Sequence, residues 1–169
     1  GAVIADEKIV NAVMNMGGFA HGFTYAGNPL ACATGLAVVE EIEAQDLCAN
    51  AALMGDKLIG RLNGLMQKHE LIGDVRGKGL LTAFEFMADR DSKEPLPPHL
   101  NAHQKFVDMA YERGLIVYSR RTRDGLAGDH ILVCPPLIVD NDHIDEIITG
   151  LDATLVEFTR YVHMQMKAG

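Results

Sequence analysis

The chain has 169 residues, with 15 basic and 23 acidic side chains giving a net charge of −8, and 48% of its residues are hydrophobic. This is the composition of a folded protein with one or two domains and excludes a disordered tail. The acidic balance also excludes nucleic acid as the main partner and disfavours an anionic membrane surface. No apolar run reaches the ~20 residues that span a bilayer, and no secretory leader is visible, so the cytoplasm is the expected compartment. The three cysteines, Cys32, Cys48 and Cys134, stand at wide, irregular spacings that fit neither a disulfide framework nor a CxxC metal site.

In chain order, Gly1-Ala2-Val3-Ile4-Ala5 reads as a buried strand, and its abrupt opening suggests a piece of a longer protein. Asp6 is placed to cap a short helix that ends at Gly17-Gly18. After a loop over residues 18–27, Asn28 as N-cap and Pro29 at the first helical position start a second helix rich in Ala31, Cys32, Ala33, Thr34 and Gly35. Such small side chains suit close approach by a neighbouring element. A third helix begins near Asp46, with Leu47, Ala51, Met54, Leu58, Leu62 and Leu65 on one apolar face.

Residues 71–76 and 80–87 read as strands around the turn Gly77-Lys78-Gly79. A charged, proline-bearing loop over residues 89–98 leads to a helix over 99–113 closed by Gly114, then a β-type run over 115–119. An arginine-rich loop, Arg120-Arg121-Thr122-Arg123-Asp124-Gly125, separates that run from a strand over 130–134, which Pro135-Pro136 ends. The last helix starts near Asp140, with Asp142 and Asp145 at its positive end and Ile144, Ile147, Ile148, Leu151 and Leu155 as its buried stripe. The second half is therefore an α+β unit with helices packed on a small sheet.

Three patterns bear on chemistry. His99 and His103, four apart, could share a metal on one helix face, but no glutamate sits between them and no third ligand is near, so no metal site is assigned. Gly77-Lys78-Gly79 lacks the GK[ST] of a phosphate loop and is read as a turn. The segment Gly22-Phe23-Thr24-Tyr25-Ala26-Gly27-Asn28-Pro29 places a hydroxyl and several N–H groups ahead of a helix N-terminus, which suits phosphate; on pattern alone an ordinary capped helix after a glycine-bearing loop is the commoner account.

The run from His21 through Ala33 resembles a segment near the second domain junction of the class III aminotransferases, pyridoxal-phosphate enzymes of fold type I. The opening strand, Val75-Arg76-Gly77-Lys78-Gly79-Leu80, Gly114-Leu115-Ile116-Val117 and Pro135-Pro136-Leu137-Ile138 with Ile144-Asp145 are similar to further landmarks of that family, in order. The resemblance implies an α/β fold in which residues 1–45 finish the large cofactor-binding domain and residues 46–169 form the C-terminal small domain. It implies a homodimer in which Thr24 reaches the cofactor phosphate of the other subunit, with Phe23 and Tyr25 shaping the pocket beside it.

The family's Schiff-base lysine is expected upstream of Gly1, since Lys8, Lys57 and Lys78 match no catalytic position; this chain alone is then inactive. Many members place a carboxylate-binding arginine where Leu132 stands. In the subgroup acting on amines or ω-amino acids with pyruvate, a mobile arginine in the preceding loop replaces it, and Arg120, Arg121 and Arg123 are the candidates. A decarboxylase or aminomutase of the same superfamily, or a non-catalytic dimerisation module, is the competing expectation.

Overall fold

The computed structural model describes residues 1–168, with the side chains of Arg123 and Ala168 outside the described set. Contacts divide the chain into two units, Gly1–Asp46 and Leu47–Gly169.

The first unit holds two helices, α1 (Glu7–Asn15) and α2 (Pro29–Ala44). Both start where their caps place them: the Asp6 side chain accepts from Lys8 N at 2.8 Å, and Asn28 Oδ1 accepts from Leu30 N at 3.0 Å and Ala31 N at 3.4 Å. Neither helix buries a residue. Residues 1–5 form no strand, and Val3 and Ile4 are each 96% exposed. The buried strand expected there is thus not formed within this chain. An apolar run becomes a strand only when a neighbouring strand completes its backbone hydrogen bonds, and among its described residues the first unit holds helices and no strand.

The second unit is built from α3 (Leu47–Lys68), β1 (Ile72–Lys78), β2 (Leu81–Phe86), α4 (Ala102–Tyr111), β3 (Tyr118–Thr122), β4 (Ala127–Val133) and α5 (Asn141–Ala168). Its four strands form an antiparallel sheet in the order β1-β2-β4-β3, which leaves β3 at one edge. Three helices supply one covering layer: Leu58, Leu62 and Leu65 from α3, Phe106 from α4, and Leu151, Leu155 and Phe158 from α5 meet Phe84, Phe86 and Ile131 of the sheet in a single core. Phe86, Phe106 and Phe158 lie with ring centroids 4.7–5.4 Å apart, within the range of favourable aromatic pairs. The α3 backbone meets the β1–β2 turn at two glycines: a Cβ on Gly55 would run into the Gly79 carbonyl, and Gly79 itself holds φ +55°. Among the described residues no helix is long and apolar enough to cross a membrane.

Two local expectations change. The helix expected over 99–113 is broken at Asn101, whose φ of 47° is left-handed, so His99 lies in a separate short turn, Pro98–Leu100, and only His103 lies on α4. The arginine-rich segment expected as a loop is largely strand: Arg120 and Arg121 lie within β3, and the connection to β4 shrinks to a few residues around Arg123–Gly125.

Candidate functional site

In the first unit, Phe23, Thr24 and Tyr25 all lie exposed on the loop before α2. Turns consume the N–H groups of Ala26 and Asn28, donating to Phe23 O at 2.9 Å and Tyr25 O at 3.0 Å. The Asn28 side chain satisfies the first free N–H groups of α2, so the helix end itself has little left to offer an anion. What remains is the Thr24 hydroxyl, which takes part in no hydrogen bond among the described residues. An exposed hydroxyl on a turn-braced loop fits a phosphate delivered from outside this chain, because an O–H donor to a charged oxygen makes one of the stronger hydrogen bonds.

In the second unit, side chains alternate along β3. Tyr118, Arg120 and Thr122 face the open side of the sheet, while Ser119 and Arg121 face the helices. Arg121 is consumed by this geometry. Its Nε donates to Asp129 Oδ1 at 2.7 Å and its Nη2 to Asp129 Oδ2 at 3.1 Å, a two-pronged pair in which Asp129 is 3% exposed and Arg121 11%. A third guanidinium bond goes to Pro98 O at 3.2 Å. His103 Nδ1 approaches the same carboxylate at 2.7 Å but is too poorly aligned for a hydrogen bond. Arg121 therefore ties β3 to β4 and to the turn before α4. A guanidinium so enclosed cannot swing without leaving Asp129 charged and unpaired.

Arg120 has the opposite environment. Exposed, and without an ion pair among the described residues, its guanidinium lies 5.0 Å from the centre of the Tyr118 ring. Leu132 stands directly opposite Tyr118 on β4, on the same open face. The side chain of Arg123 lies outside the described residues.

Cross-strand register extends this face. Glu85 on β2 and Arg120 on β3 both pair with His130 on β4, so the three occupy one row, and Asp74 of β1 is opposite Glu85. At the far end Arg76 bonds Asp74 and, at 2.9 Å, Glu85; the Asp74 hydrogen bond first, then Glu85's, outweighs desolvation and holds its pKa above the ordinary value. Among the described residues no group of three or more His, Cys, Asp or Glu could hold a metal ion. Asp129, His130 and Tyr118 are given no role by the sequence reading, which weighs His103 only as a metal ligand beside His99. The alternation of Tyr118, Arg120 and Thr122 was the available signal, masked because Arg121 places a charge on the inward side.

The family model described as aminotransferase class III matches residues 1–155. The chain is 36% identical to the leucine/methionine racemase of Thermococcus litoralis, over 92% of this chain and 32% of that protein. It is 40% identical to the taurine–pyruvate aminotransferase of Bilophila wadsworthia, over 76% of this chain and 28% of that protein. Among solved structures, a transaminase from a marine Virgibacillus aligns with a TM-score of 0.80 at 28% identity, over 91% of this chain and 34% of that one. An amine transaminase from an uncultivated Pseudomonas species, in a PLP-bound form, aligns at 0.75 and 32% identity, over 90% and 34%. This chain spans about a third of the length of these relatives.

Proposed function

This chain belongs to the class III aminotransferases, and we propose that it is the C-terminal portion of an enzyme that moves an amino group between an amine or ω-amino acid and a keto acid such as pyruvate. Pyridoxal phosphate, when bound, supplies the electron sink that allows the bond to the amino-bearing carbon to be broken and remade. The lysine and the pyridine-nitrogen partner that this chemistry requires belong to a segment outside residues 1–169, so the chain alone is inactive. Residues 1–45 complete the cofactor domain and residues 46–169 form the small domain of a cytoplasmic homodimer.

Within this chain Thr24 donates its hydroxyl to the phosphate held by the other subunit, with Phe23 and Tyr25 beside it. Arg120 receives the carboxylate of the acidic substrate. The observation that carries this assignment is its exposed guanidinium, resting on Tyr118 beside Leu132 and, among the described residues, bound to no carboxylate. Of the two arginines whose side chains are described on β3, only Arg120 can leave its place without stranding a buried charge. The taurine–pyruvate relative supports a keto-acid acceptor.

The racemase relative favours a second reading, inversion at the amino-bearing carbon with no keto acid consumed. Supplying the full-length parent with a simple amine and pyruvate separates the two. Formation of alanine supports transfer; racemisation of an amino acid without alanine formation refutes it. The present chain, assayed alongside, forms no alanine. In the same full-length protein Thr24→Ala weakens pyridoxal phosphate binding about ten- to a hundredfold, measured by titration of the cofactor absorbance, because one charge-assisted bond is lost. An unchanged affinity removes Thr24 from the site.

A further inference from the structure

Tyr118 and Arg120 stand two apart on β3, so both side chains rise from one face of an edge strand, about 7 Å apart along it. Arg120 nevertheless turns its guanidinium back along the strand, to 5.0 Å from the centre of the Tyr118 ring. That is inside the ~6 Å at which an aromatic face attracts a cation. Leu132, directly opposite Tyr118 on β4, flanks the ring with an apolar side chain and brings no second charge to it.

The other groups of this face are occupied elsewhere. Glu85 and Asp74 share the Arg76 guanidinium. His130, opposite Arg120, is drawn to Gly128 O, with its Nδ1 at 2.8 Å. Asp129 is turned to the other side of the sheet and held by Arg121. Among the described residues Arg120 makes no ion pair, and what holds its guanidinium is the Tyr118 ring.

Resting on the assignment of Arg120 above, we propose that Tyr118 is a positioning residue that sets specificity: its ring is the seat of the Arg120 guanidinium, and the acidic substrate binds by drawing the guanidinium off it. A cation–aromatic contact at an exposed site is worth about two- to fivefold in an equilibrium constant. A carboxylate making two charge-assisted hydrogen bonds to the guanidinium outweighs it. The seat therefore yields to an acid, yet lowers its apparent affinity, because only the unseated fraction of Arg120 is competent to bind. An amine without a carboxylate does not call on Arg120 and meets no such handicap.

The test uses the full-length holoenzyme, with each half-reaction followed by itself through the cofactor absorbance. Tyr118→Leu removes the aromatic face and should raise kcat/KM for pyruvate about two- to fivefold, with no rise for a simple amine. Tyr118→Phe, which keeps the face and loses only the hydroxyl, should show no such rise. In an Arg120→Ala background Tyr118→Leu should have no effect on pyruvate, because nothing is left to seat. Damage to the strand would instead lower kcat/KM for both substrates, so the sign of the change separates a seat from a structural role.

A Tyr118→Leu enzyme whose kcat/KM for pyruvate is unchanged or lower overturns the proposal, as does an equal rise in Tyr118→Phe. Arg120→Ala alone is the control on the underlying assignment. If it lowers kcat/KM for pyruvate while Tyr118→Leu fails to raise it, only the role of Tyr118 fails. If it leaves pyruvate unaffected, the carboxylate site itself is misplaced.

Discussion

Removing the Asp129 carboxylate is the sharpest test of the architecture behind β3. Asp129 is 3% exposed and receives two guanidinium bonds, at 2.7 and 3.1 Å, from an Arg121 that is itself 11% exposed. In Asp129→Ala the guanidinium keeps only the Pro98 carbonyl at 3.2 Å and remains enclosed. Breaking a buried pair from one side leaves an uncompensated charge and costs about 3–5 kcal/mol. For a cooperative unit of this size that lowers Tm by about 10–20 °C. Urea denaturation at neutral pH, followed by circular dichroism, reads the loss as a lower midpoint at constant slope. The double variant Asp129→Leu with Arg121→Met removes both charges and should recover to within about 1–2 kcal/mol of wild type, since apolar groups of similar volume replace a buried pair at little cost. An Asp129→Ala protein within about 1 kcal/mol of wild type would refute the reasoning, because it would mean that water reaches the pair.

Two further outcomes follow from other contacts in the second unit. Gly55→Ala drives a Cβ into the Gly79 carbonyl and should destabilise by about 1–3 kcal/mol, whereas Gly60→Ala, with nothing within 4 Å, should stabilise the same helix by up to about 1 kcal/mol; equal melting temperatures for the two would contradict the close approach of α3 to the turn. The hydrogen bond from Lys68, opposed by desolvation and reinforced by His69, holds the Asp152 carboxyl below its ordinary range. A depressed carboxylate stabilises the fold above the unfolded-state pKa, and that stability is lost as pH falls through the folded value. The stability gap between wild type and Asp152→Asn should therefore be present at neutral pH and shrink below about pH 4 in acid-dependent denaturation curves.

What was legible in the sequence is what a few neighbouring residues complete among themselves. Asp6 and Asn28 cap their helices because a side-chain oxygen two or three residues away satisfies the free N–H groups, and no distant partner is needed. The stripes of α3 and α5 repeat at helical intervals, and both bury their leucines in the core. The ordered run from His21 to Ala33 with its later landmarks carried the family. Tertiary structure decided whatever depends on a partner from elsewhere in the chain. Val3 and Ile4 have the residue types of a strand, yet among the described residues their own unit contains no strand to pair with them. Arg120 and Arg121 are adjacent and chemically identical; pleating sends one to the open face and the other into the grip of Asp129. No local pattern separates those two fates, because the energy that distinguishes them, a buried charge compensated or left unpaired, exists only once β3, β4 and the turn before α4 have come together.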